Sequence, residues 1–172
     1  SQTVTAQAGG SIWISQPDDD LRIDHIQSFK GDVDLRAGFS LVDAASKTWD
    51  NSGAASLPAV DVIGNSITLT AVLGGIGDAL NQIDIDSQFS AVGGTLTSSS
   101  KTLNTYIIET LGDVLLNTVS TGIAQSAFIT APTGSILNGA APGKPNVLSG
   151  NTKLFANKDI GASGNCLLYT SD

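Results

Sequence analysis

Short runs of strictly alternating apolar and polar residues recur along the whole chain. They limit its folds more than any other feature. Ile12-Trp-Ile14, Leu21-Arg-Ile23, Val33-Asp-Leu35, Ile67-Thr-Leu69, Ile83-Asp-Ile85 and Ala127-Phe-Ile129 all follow period two. Successive side chains of a strand point to opposite faces, so each run reads as a strand with one buried face. The centres lie roughly 10 to 15 residues apart, with Gly, Asn, Asp, Ser or Pro between them.

A second regularity is longer. Leu21–Ser28 resembles Val114–Thr121, Val33–Ala37 resembles Ala127–Ala131, and Asn65–Ala71 resembles Gly150–Ala156. The offset drifts from about 95 down to about 84 residues, as inserts of unequal length require. We therefore expect one domain over residues 1–165, built of two degenerate units. They span about 11–100 and 101–165, the second incomplete. A unit that itself holds smaller strand–turn units fits a solenoid, in which each coil stacks its apolar residues on the next. The expected fold is all-β: a parallel β-solenoid with irregular inserts at 45–60 and 139–145. The alternative is a β-sandwich, in which Leu21–Ser28 and Asp32–Ala37 pair as an antiparallel hairpin. In Thr102–Val119 the apolar residues Leu103, Ile107, Leu111, Leu115 and Val119 recur at helical spacing. The Gly112-Asp113 break and the β-branched residues favour two strands there instead.

Composition agrees. Aromatics are 5 % and Gly numbers 19 in 172 residues, which suits a narrow aliphatic core between tight turns. The net charge of −8 disfavours nucleic acid and anionic membrane as partners. No run has the length of a transmembrane helix, so membrane insertion is not expected. Ser1 is not an initiator residue, which suggests a trimmed start or a cut within a longer chain. Residues 166–172, Cys166-Leu-Leu-Tyr-Thr-Ser-Asp172, break the repeat. They resemble a translated sequencing-library adapter, so we expect a non-native tail.

No convergent catalytic set is legible, and an enzyme is not expected. His25 is the single histidine, so a triad or a multi-histidine metal site would depend wholly on it. It reads as a histidine of the surface or core edge. Cys166 has no partner for an internal disulfide. Asp32 with Asp34, and Asp84 with Asp86, are paired carboxylates pointing outward from single strands; such pairs serve glycoside hydrolysis in some proteins. Asp18, Asp19 and Asp20 form the best cluster for calcium, a hard cation that wants several oxygens. Gly74-Gly75-Ile76-Gly77 lacks the following Lys-Ser/Thr of a phosphate loop. Trp13, expected to face outward, and Trp49, in the first insert, are candidates for stacking on sugars. Outward Thr68 and Thr70 suggest a threonine ladder, but it does not recur in one register along the sequence. Apart from calcium, no cofactor is expected.

Gly31-Asp-Val-Asp-Leu-Arg-Ala37, Ile67-Thr-Leu-Thr-Ala71, Gly134-Ser-Ile-Leu-Asn-Gly139 and Asp159-Ile-Gly161 resemble the degenerate repeats of large bacterial surface exoproteins. These are the filamentous-haemagglutinin-like adhesins, and the resemblance covers roughly residues 10–165. It implies a right-handed parallel β-helix at the cell surface or outside the cell. It also implies a non-enzymatic role as an adhesin or as the stalk that carries one. The implied partners are a host or matrix glycan or protein, and neighbouring repeats of the same chain. The competing reading is a carbohydrate-binding or polysaccharide-cleaving β-helix.

Overall fold

A computed structural model describes residues 2–44, 60–89 and 93–170. Its described residues contain strands and turns and no helix. The chain winds through seven coils. The first holds β1 (Val4–Ala8) and β2 (Ile12–Gln16), the second β3 (Leu21–Ser28) and β4 (Val33–Ala37). The third holds β5 (Leu41–Asp43), β6 (Val62–Ile63) and β7 (Ile67–Ala71), the fourth β8 (Ile83–Asp86) and β9 (Thr95–Ser100). The fifth holds β10 (Thr105–Glu109) and β11 (Val114–Ser120). The sixth holds β12 (Ser126–Ala131), β13 (Ile136–Asn138) and β14 (Val147–Leu148), and the seventh β15 (Asn151–Ala156) and β16 (Tyr169–Thr170).

Every strand pairs with its counterpart one coil away, and every such pair is parallel. Two sheets result. Sheet A runs β1-β3-β6-β8-β10-β12-β15, with β5 also on β3; sheet B runs β16-β14-β11-β9-β7-β4-β2, with β13 also on β11. The molecule is a parallel β-solenoid. The sandwich alternative fails at β3 and β4: they lie in different sheets, and each hydrogen-bonds to neighbouring coils. Thr102–Val119 forms β10 and β11, not a helix, because Gly112 turns the chain at φ +77° between them.

The core is a column of aliphatic shelves. On sheet B, Ile12, Val33, Ile67, Leu96 and Leu116 stack in register, as do Ile14, Leu35, Leu69, Ser98, Val119 and Val147. On sheet A, Ile83, Ile107, Ile129 and Leu154 do the same. Almost all the apolar members of the middle coils are fully buried. Each large aliphatic taken out of water contributes about 1.5–3 kcal/mol, so the alternation itself drives coil stacking.

Two strands break the alternation at one matching place. In β3, Ile23 and Ile26 both face inward, and the register with β1 slips between Val4 and Thr5. In β11, Leu116 and Val119 both face inward, and the register with β9 slips between Leu116 and Thr118. Two residues between two inward positions mark a β-bulge. These are the segments that resemble each other most in sequence, yet β3 lies in sheet A and β11 in sheet B. The matched pairs β4/β12 and β7/β15 are likewise split between the sheets.

Corners allow close approach only where a side chain is missing. A Cβ on Gly94 would lie 1.5 Å from the carbonyl oxygen of Asn65 in the previous coil. The turn 78–81 is held by Asp78: its Oδ1 accepts the amides of Leu80 at 2.8 Å and Asn81 at 2.9 Å.

Candidate functional site

The solenoid presents three surfaces with chemistry on them: the outer face of sheet B, the outer face of sheet A, and the corner at Asp18–Asp20.

On sheet B the outward residues form two columns. Trp13, Asp34, Thr68, Thr97 and Thr118 stack in one; Ser15, Arg36, Thr70, Ser99 and Ser120 stack in the other. Thr68, Thr97 and Thr118 share one register over three coils, but Trp13 and Asp34 begin that column and Thr70 is the lone threonine of the other, so no threonine ladder runs through the chain, as the sequence indicated. The shared register was hidden because the coils differ in length and a bulge at Asn117 shifts β11 by one place. Asn117 bridges the column by donating from Nδ2 to Thr97 Oγ1 at 3.0 Å. Along the second column, Arg36, Thr70, Ser99 and Ser120, with Lys101 and Thr121 beside them, line a shallow groove of about 370 Å³.

Trp13 is 74 % exposed at the first-coil end of this face, outward as expected. Its column neighbour on the next coil is Asp34. Trp49 lies outside the described residues. Asp34 is an outward residue of β4, whereas Asp32 precedes the strand at a corner. Asp32 Oδ1 accepts Asn65 Nδ2 at 3.1 Å and the Ser66 amide at 2.9 Å, which ties one corner to the next.

On sheet A the expectation of solvated acidic pairs fails. Asp84 and Asp86 alternate with inward Ile83 and Ile85 and so occupy outer positions, yet Asp84 is fully buried and Asp86 is buried too. Asp61 is buried on the same side, while Asp43, in register with inward Ile23, is buried at an inward position of β5. Asp61 accepts the Asp84 amide at 2.8 Å. The 78–82 turn reaches this face, where Asn81 Nδ2 donates to the Asp43 carbonyl at 2.8 Å. His25 sits one coil away, its Nδ1 3.0 Å from the Val60 carbonyl, and is half-buried at the core edge as expected. Burial raises the Asp86 carboxyl above its ordinary value, opposed by the Gln88 amide it accepts.

Glu109 was not singled out by sequence reasoning. It occupies the inward position after Thr105 and Ile107 on β10, so the alternation alone places it inside. It is fully buried. Ser87 donates to it from Oγ at 2.5 Å and from its amide at 3.0 Å. Burial pushes its carboxyl up to about 8, against the Ser87 hydrogen bonds, and Asp86 and Asp113 nearby add a smaller rise.

At the third surface, Asp18 and Asp19 are exposed. Asp19 Oδ1 accepts the Asp20 amide at 2.8 Å, and Asp20 Oδ1 accepts the Ser40 amide at 3.0 Å. Two of the three carboxylates thus bind backbone at the corner between coils. Among the described residues, no three His, Cys, Asp or Glu side chains converge into a metal-binding group.

An aromatic strip crosses sheet A. Tyr106 and Phe128 stack with centroids 4.4 Å apart and planes 5° from parallel, and Lys153 Nζ lies 5.2 Å from the Phe128 centroid. Each neighbour covers the face of the next, so Phe128 has no open face for a sugar ring. Comparison of the chain with protein-family models, with curated proteins and with solved structures gives no match.

Proposed function

We propose that the chain is a non-enzymatic structural and adhesive segment of a bacterial surface or secreted protein. The observation that supports this reading is the uninterrupted parallel ladder through seven coils. Each added coil advances the axis by about 4.8 Å and buries one more aliphatic shelf, so the fold makes a stiff spacer. The wall is continuous on both sides of each insert: β5 and β6, flanking residues 45–59, both pair with β3, and β13 and β14, flanking 139–146, both pair with β11. Surfaces of that kind carry binding while the scaffold carries shape. Neighbouring repeats of the same chain and a host or matrix glycan or protein are the partners of this reading.

Exposed Trp13 favours the sugar version of adhesion over the protein version, because its ring is open to solvent on a polar, hydroxyl-rich face. The test is a screen of the full chain against immobilised glycans and matrix proteins. Two variants accompany it, Trp13→Ala and one with 45–59 replaced by a short Gly-Ser linker. We expect retention of the parent on at least one ligand and loss in one variant that keeps its far-ultraviolet circular dichroism. Binding unchanged in both variants overturns the assignment of these surfaces, and hydrolysis of a retained glycan overturns the non-enzymatic reading.

A further inference from the structure

The groove on sheet B has a charge opposite to that of the chain. It crosses coils two to five, within the wall, and is lined by Arg36, Thr70, Ser99, Lys101, Ser120 and Thr121. The sequence holds 16 Asp and Glu against 8 Lys and Arg, yet no acid lines the groove and two cations do. Arg36 and Lys101 are exposed, and among the described residues neither forms an ion pair. Their backbones are fixed. Arg36 lies on β4, which pairs with β2 on one side and β7 on the other. The Lys101 amide donates to the Gly74 carbonyl at 3.3 Å, and a Cβ on Gly122 would lie 2.2 Å from the Lys101 carbonyl oxygen. Thr70 and Ser99 follow Arg36 in register on the next two coils. Their hydroxyls have no hydrogen-bond partner among the described residues.

We propose that this groove binds the carboxylate groups of an acidic polysaccharide. The inference rests on the adhesive reading and deepens it, by naming the charge its sugar ligand carries. The donors suit that charge. A guanidinium meets a carboxylate through two parallel N–H bonds, an ammonium adds a point charge, and the two hydroxyls have hydrogens to give. Cations on fixed backbones lose less freedom when they bind. A polymer fits better than a single anion. One exposed ion pair holds little, but donors recur on coils about 4.8 Å apart, so a chain laid along the axis engages several acidic groups at once. A sugar fits better than an acidic peptide. β4, β7, β9 and β11 each pair on both sides, so no strand edge is left there for a peptide backbone. Two cations neutralise too few phosphates to hold a nucleic acid against a net charge of −8. Trp13 stands on the same outer face, one coil before Arg36, with its ring open to a sugar of the same polymer.

The test is surface plasmon resonance of the full chain on immobilised polygalacturonate, dextran sulfate and neutral dextran, each at low and high salt. Polygalacturonate should bind the parent best, and salt should weaken that binding. Arg36→Gln and Lys101→Gln should each weaken it about fivefold with circular dichroism unchanged. Arg36→Lys should keep part of what Arg36→Gln loses. Lys30→Gln removes an exposed cation outside the groove and should change nothing. A parent that does not bind polygalacturonate overturns the proposal. So does an equal loss in Lys30→Gln, since net charge alone would then explain the binding. Tighter binding to dextran sulfate, lost in both groove variants, overturns the carboxylate assignment. Retention on a neutral glycan or a matrix protein, with none on polygalacturonate, removes the groove and leaves adhesion standing. Polygalacturonate binding lost in Trp13→Ala but kept in both groove variants does the same. No retention on any glycan or matrix protein removes both.

Discussion

Glu109 is the residue whose chemistry departs most from its surroundings. A carboxyl buried in register with Ile85 is kept protonated, with its ordinary value of 4.5 raised to about 8. The folded state then holds a proton that the unfolded chain releases, so stability is full below about 4.5 and is lost as pH rises through about 8. The slope across that window is on the order of 1.4 kcal/mol per pH unit at its steepest. Glu109→Gln keeps an acceptor for Ser87 and removes the ionisation. We expect its chemical-denaturation midpoint to exceed the parent's at pH 9 and the difference to shrink by pH 5. The stacked pair offers a second check at this scale. Replacing Tyr106 and Phe128 singly and together by Leu should give a coupling of about 0.5–1.5 kcal/mol in a double-mutant cycle.

At the scale of the element, most strands were legible because each buries a single face and period two reports that directly. β4, β7 and β12 follow the alternation from end to end. The misjudged positions are those where something outside the strand decides. Asp84 and Asp86 read as solvated, but burial at an outer position depends on what crosses the sheet, and a strand's own sequence does not record that. The shared register of Thr68, Thr97 and Thr118 was illegible for a related reason: register between coils depends on insert lengths and on the β11 bulge. Corners behave differently again. Gly94→Ala should lower the thermal midpoint strongly, because its Cβ would have to displace the Asn65 carbonyl. Gly9→Ala meets nothing within 4 Å and should leave the midpoint unchanged or slightly raised. Equal effects in calorimetry would contradict the close corner.

At the scale of the whole molecule, the core has a middle and two ends rather than a centre. Coils in the middle stack on both sides and end coils on one, so protection from hydrogen exchange should be graded. Amides of Ile85, Ile107 and Leu116 should exchange slowest, and those of Val4 and Leu154 fastest. Leu69→Ala, in the middle, should cost about 2–5 kcal/mol, with a much smaller loss for Leu154→Ala at the end. The internal resemblance also takes its meaning here. It matches bulged strand to bulged strand but from opposite sheets, so it reflects two walls built to one pattern. The sequence therefore exposed the solenoid architecture, while the placement of buried acids and hydroxyl columns needed three dimensions.

The column of shelves has a hereditary consequence. A recombination event that drops or doubles one whole turn of the wall leaves every surviving neighbour facing the same kind of neighbour as before. Length then varies between descendants almost independently of foldability, and selection is free to set how far such a protein reaches without redesigning what holds it up.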